Sequence, residues 1–304
     1  MSEPASGWLD RDGVSLHYLE WAPEHSTSRS PAILLLHGLS SNARYWDRVA
    51  RYLGRHRLIA IDQRGHGWTG RPPHAPAVPH GYDMKSLLDD SSFVIAQLHL
   101  RRPVVVGHSW GATVALELAA TRPELVSGLV FIDGPVQSPS HLFNWEEAQR
   151  LMQPPLPRFR SMNEAIDESR RDLEAAWDAD LEPFVADRLM TDGEALVLTL
   201  TAPVRLEFLR SLYNSQPEAL WPRLTVPSVA LLASRSFARI SRSSDRGVFH
   251  LQEIAPRVEV KWFDTPHDVP LYMPAEVAAE VERVAGLAAE GLRSEAPAGE
   301  QLQD

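Results

Sequence analysis

Residues 104–112 constrain this chain more than any other stretch. Val104, Val105 and Val106 are three β-branched residues in succession, which reads as a short buried strand. Gly107-His108-Ser109-Trp110-Gly111 then turns sharply, and Ala112, Ala115, Leu116, Leu118 and Ala119 continue at helical spacing. A strand, a tight turn and a helix in that order give the Gly-x-Ser-x-Gly frame its meaning. The serine at the apex is held in a strained backbone conformation that lifts its hydroxyl above the sheet. Both glycines are required, because a Cβ at Gly107 or Gly111 would strike the neighbouring strand and helix. The amide of Trp110 falls in the first helical turn, where donors lack intrahelical partners and the dipole favours negative charge. Ser109 is therefore the candidate nucleophile, with half of an oxyanion site beside it.

The strand–helix alternation extends along the chain. Asp12-Gly13 reads as a hairpin turn between strands around Trp8 and Leu16. Ala32, Ile33, Leu34, Leu35 and Leu36 form an apolar run of strand length that ends in His37-Gly38-Leu39. An amphipathic helix follows, with Trp46, Val49, Ala50 and Leu53 on one side and Arg44, Asp47, Arg48 and Arg51 on the other. Leu58-Ile59-Ala60-Ile61 is the next buried strand, and residues 62–67 (Asp-Gln-Arg-Gly-His-Gly) are the loop at its end. A helix over 84–98 leads to the Val104 strand, and residues 126–132 form another strand, ending in Asp133-Gly134-Pro135. This pattern predicts a parallel sheet covered on both faces.

Between about 137 and 224 no buried strand is expected, only helical stretches rich in charge and large apolar residues. An all-helical insertion there reads as a lid over the carboxyl edge of the sheet. The expected organisation is a core of residues 1–136 and 225–292, a helical cap over 137–224, and a disordered tail over 293–304. Sheet texture resumes at Val229-Ala230-Leu231-Leu232. Residues 234–246 read as a basic polar loop leading to a helix capped near Ser244 or Asp245, followed by a last strand over 258–263 and a last helix over 275–289.

Composition excludes several classes of function. A net charge of −10 argues against nucleic acid as a partner, and the absence of cysteine removes disulfides, zinc–thiolate sites and a thiol nucleophile. Residues 1–8 lack the basic and apolar regions of a signal peptide, and no apolar run approaches the roughly 18 residues of a membrane span. A cytoplasmic protein with a small-molecule substrate, no membrane partner, no metal and no cofactor is the expectation.

A serine hydroxyl needs a base to remove its proton, and that base stands best in a loop at the carboxyl end of a later strand. Among twelve histidines, His267 alone follows the last strand and precedes the last helix. His108 lies inside the turn and is expected to pack. His37 and His66 sit in loops at the same edge, suited to orienting them or lining a pocket.

His37-Gly38 after a strand, residues 62–67, the Gly107–Gly111 frame and His267 before Pro270 together resemble the α/β-hydrolase superfamily, from about residue 8 to 290. The resemblance implies a mostly parallel sheet with a helical cap, a Ser–acid–His triad, and an oxyanion hole from the amides of Leu39 and Trp110. One departure stands out. Members commonly carry the acid just past the strand that is here 229–233, where this chain has Ser234, Arg235, Ser236 and Phe237. Other members place it one strand earlier, where Asp133 stands, so Asp133 is the expected triad acid. Asp245 is second, and Asp268 is a poor candidate beside His267 in sequence.

Serine at position 109 excludes the aspartate-nucleophile chemistry of epoxide hydrolases and haloalkane dehalogenases of this superfamily. The expected reaction is hydrolysis of a small, mostly apolar carboxylic ester or lactone. A cofactor-free dioxygenase of the same fold and a small-molecule receptor on the same scaffold are the alternatives, separable by ester turnover, oxygen uptake or binding alone.

Overall fold

The computed structural model describes residues 3–23, 30–69, 81–236 and 238–295. β1 (Ala5–Arg11) and β2 (Val14–Trp21) pair antiparallel through Asp12 and Gly13, whose φ values of 51° and 80° are both left-handed, as a tight hairpin turn requires. β3 (Ile33–Leu36), β4 (Leu58–Ile61), β5 (Val104–His108) and β6 (Gly128–Ile132) are buried along their whole length. Three short strands, β7 (Arg158–Phe159), β8 (Leu189–Asp192) and β9 (Ala195–Leu198), pair antiparallel in a separate small sheet. β10 (Ser228–Ala233) and β11 (Val258–Phe263) complete a main sheet of eight strands in the order β1-β2-β4-β3-β5-β6-β10-β11. From β4 to β11 every neighbouring pair is parallel.

Side-chain alternation divides the strands between two apolar layers. Leu34, Leu36, Val105, Leu129 and Phe131 face the helices Met84–Gln97 and Trp110–Thr121, while Ile33, Leu35, Val104, Val106, Val130 and Ile132 face the helix Pro274–Glu295. The register aligns the carboxyl ends. His108 pairs with Ile132, and Ile132 with Leu231, so Ser109 and Asp133 leave adjacent strands side by side.

Four expectations are corrected. The 137–224 block is not all helical, because β7, β8 and β9 lie in it; short, mostly half-buried or exposed strands of two to four residues carry too little alternation to be seen in sequence. The amphipathic segment after β3 is a 3₁₀ turn, Ala43–Trp46, followed by one short helix, Asp47–Ala50. Its polar side is only partly solvated. Arg44 bonds Asp187 at 2.8 Å and Arg48 bonds Asp180 at 2.5 Å, both in the inserted block. The basic stretch is not a loop to residue 246: helix runs from Ala238 to Ile254, through position 245, and the Asp245 side chain lies outside the described residues. The last helix reaches Glu295, past the expected start of a tail at 293, and the tail from 296 onward lies outside the described residues. Among the described residues no helix is long and apolar enough to cross a membrane.

Candidate active site

Ser109 sits between β5 and the helix Trp110–Thr121 with φ 52° and ψ −116°, a backbone strain tolerated only where the surroundings enforce it. Its amide donates to Ile132 O at 2.8 Å, tying the turn to β6. The glycines on either side have no room for a side chain. A Cβ at Gly107 would lie 2.3 Å from Gly111 O, and one at Gly111 would lie 2.2 Å from Leu36 O.

Asp133 leaves β6 with φ 48°. Its amide donates to Leu231 O at 2.8 Å, and its Oδ1 accepts from the Ala233 amide at 3.0 Å. The other oxygen, Oδ2, lies 2.5 Å from Nδ1 of His267, which arrives four residues past the end of β11. Burial alone would raise the Asp133 carboxyl. The His267 hydrogen bond and charge, the Ser236 hydroxyl and the Ala233 amide outweigh it and hold the group below the ordinary carboxylate range. Burial likewise presses on the His267 imidazolium, but the Asp133 hydrogen bond and charge, helped by Asp268, carry its pKa above 6.5.

Ser109 and His267 line one cavity of about 250 Å³, together with Gly38, Leu39 and, from the inserted block, Phe184 and Arg188. A second cavity, of about 160 Å³, opens on the other side of Ser109 and is walled by Pro135, Leu142, Phe143, Leu212, Leu232 and Trp262. Leu39 belongs to the first and Trp110 to the second. Gly38 packs closely on Ser109, since a Cβ there would lie 3.3 Å from Ser109 Cβ.

The histidines flanking these groups have separate duties. Nδ1–H of His37 donates to Gly38 O at 2.8 Å while its Nε2 accepts from the Gln63 amide at 3.1 Å. Because a trans peptide points its C=O and N–H in opposite directions, pinning the Gly38 carbonyl also aims the Leu39 amide. His66 donates through Nδ1 to Arg64 O and accepts the Ser40 amide, each at 3.1 Å. Burial holds both imidazoles below their ordinary pKa, so they stay neutral and keep these tautomers. His108 does pack, stacking on Tyr45 with ring centroids 4.8 Å apart. It also donates from Nε2 to the backbone carbonyl of His267 at 3.1 Å. Burial, reinforced by the His267 charge, brings its pKa down to about 4.

Sequence reasoning missed three contributors. Tyr45 donates its hydroxyl to Asp268 at 3.1 Å, across 223 positions, and burial beside Asp268 keeps that hydroxyl protonated. Ser236 reaches Asp133 from a stretch read only as basic loop. Arg188 enters the cavity from the inserted block. None carries a local signal, since a Tyr in an amphipathic segment or an Arg after a helix has the same pattern on any surface. Asp268 accepts the Tyr45 hydroxyl and acts on the His267 imidazole through its charge.

A mostly parallel sheet with a glycine-flanked serine at the end of its fifth strand, and an Asp–His pair at later strand ends, defines the α/β-hydrolase fold, and the chain is a member of that superfamily. The family model for the alpha/beta hydrolase fold matches residues 31–179. The chain is similar to epoxide hydrolase 3 of Xenopus tropicalis, with 33% identity over 130 residues, covering 42% of this chain and 33% of that protein. It is also similar to 2-(acetamidomethylene)succinate hydrolase of Mesorhizobium japonicum, with 36% identity over 104 residues, covering 34% of this chain and 35% of that one. These matches span about a third of each relative. Among solved structures, the thioesterase domain from the curacin biosynthetic pathway superposes with a TM-score of 0.77 at 18% identity, over 92% of this chain and 100% of that one, a likeness of fold.

Proposed function

We propose that the protein is a serine hydrolase that cleaves a small carboxylic ester or lactone through an acyl-enzyme on Ser109, with His267 as general base and acid and Asp133 orienting it. The observation that carries this reading is the Asp133–His267 hydrogen bond together with a strained serine that shares a cavity with the histidine. Attack of Ser109 Oγ on the carbonyl carbon passes its proton to Nε2 of His267, and the amides of Leu39 and Trp110 stabilise the oxyanion. Collapse expels the alcohol, which takes that proton. Water, deprotonated by the same imidazole, then releases the acid and regenerates the serine. The two cavities meeting at Ser109 suit the two halves of an ester, and the 137–224 block, which walls both, acts as the cap. Epoxide opening does not carry over from the relatives, because serine stands at the position where that chemistry uses aspartate.

A fluorophosphonate probe and a panel of p-nitrophenyl esters test the reading. Ser109→Ala should abolish both covalent labelling and turnover. Undiminished labelling of that variant would place the nucleophile elsewhere.

A further inference from the structure

The cavity beside Ser109 contains a cation, Arg188, that forms no ion pair with a carboxylate among the described residues. Arg188 ends the helix Glu182–Asp187 and is held rigidly: its carbonyl accepts the Thr199 amide at 2.9 Å, and its guanidinium lies 4.6 Å over the Phe184 ring. Nη2 donates to Ser169 Oγ at 3.1 Å, while Nε is shut off from solvent without an acceptor. Among the described residues no carboxylate comes within the 4.0 Å of an ion pair. The acidic groups that face it do so at longer range: Glu168, Asp172 and Asp268. Asp172 is exposed at the rim, where solvent screens it, and Asp268 is engaged by the Tyr45 hydroxyl. A guanidinium that lines a cavity with no carboxylate paired to it is available to an anion that enters.

We infer that Arg188 reads a carboxylate carried by the substrate, so that the molecules cleaved at Ser109 are half-esters of dicarboxylic acids or close analogues, a refinement that rests on the serine hydrolase reading. The planar fork of an arginine matches a carboxylate through paired N–H donors, a geometry that a lysine lacks. Nε is closed off, so the donors are the terminal Nη groups of this cavity-lining residue. The neutral half of such a substrate fits the apolar cavity on the far side of Ser109, and the acidic half fits the Arg188 side. Non-specific attraction cannot substitute for the site, because the protein carries a net charge of −10 and repels anions at long range.

The test measures binding to Ser109→Ala protein by calorimetry, comparing monobenzyl glutarate with its uncharged counterpart, benzyl methyl glutarate. The half-ester should bind about tenfold more tightly or better, as expected for a hydrogen-bonded charge pair. Adding Arg188→Gln should bring the two ligands to equal affinity, and Arg188→Lys should keep part of the difference. Equal affinities with Arg188 intact would overturn the inference without any Arg188 variant, and so would a preference that survives Arg188→Gln. Fluorophosphonate labelling of the wild-type serine separates the two readings. Preference for the half-ester without labelling would sink the hydrolase reading and spare the carboxylate site, whereas labelling without preference would do the reverse.

Discussion

Asp133→Asn is the most informative single change, because the two oxygens of this carboxylate have different partners. Oδ1 accepts from the Ala233 amide at 3.0 Å, and Oδ2 faces His267 Nδ1 at 2.5 Å. An asparagine keeps its carbonyl oxygen on the Ala233 amide, since the reverse would set two donors against each other. Its NH₂ group then faces Nδ1, which must give up its proton and accept. The remaining proton moves to Nε2, the nitrogen that should take the proton from Ser109. The base is thus blocked while volume and backbone are preserved. The same exchange in a serine-protease triad lowers turnover about 10⁴-fold, equivalent to about 5 kcal/mol of transition-state stabilisation. The cost to stability should be far smaller, about 1–3 kcal/mol for one hydrogen bond to a charged group. Measuring kcat/KM on a p-nitrophenyl ester, with thermal unfolding as a control, separates the two effects. A folded Asp133→Asn protein within tenfold of wild-type activity would refute the reasoning. An inactive Asp245→Asn beside it would transfer the role to position 245.

Three further outcomes follow from the same geometry. His267 must be neutral to act as base and its pKa lies above 6.5, so kcat/KM should fall with decreasing pH along a limb whose apparent pKa exceeds 6.5; Asp133→Asn should move any residual limb downward, and a limb below 6.5 in the wild type would contradict the pairing. The raised imidazole pKa also means that His267 contributes stability that is lost as pH rises above about 6.5 through its folded value, while the lowered Asp133 carboxyl loses its share in acid as pH falls through its own. Arg64 and Asp90 form a buried pair with contacts of 2.6 Å, so Asp90→Asn, which leaves the guanidinium uncompensated, should cost about 3–5 kcal/mol in denaturant unfolding; a loss below about 1 kcal/mol would show that Arg64 finds another partner. Leu142 and Leu212 wall the apolar cavity, so truncating either to Ala should reorder the preference among ester chain lengths more than it slows the smallest ester, and equal losses on every ester would make the block a purely structural support.

Short-range physics decided what the sequence could determine alone. The strand, turn and helix around Ser109 follow from consecutive valines, glycines where a Cβ has no room, and helical spacing beyond them, all within about fifteen positions. The Asp12-Gly13 hairpin is equally local, because two left-handed residues in succession define its turn. Asp133 and His267 were legible as residues at strand ends, but their contact spans 134 positions and depends on β6, β10 and β11 lying in that order and register. Tertiary structure alone settled the fate of polar side chains. Arg44 and Arg48 read only as the polar side of an amphipathic helix and in the structure tie it to the inserted block, while Arg188, which carries no local signal, lines the cavity at Ser109. The physical reason is that the pattern of a buried strand is written in its own side chains, whereas a polar residue takes its role from whichever distant chain arrives opposite it.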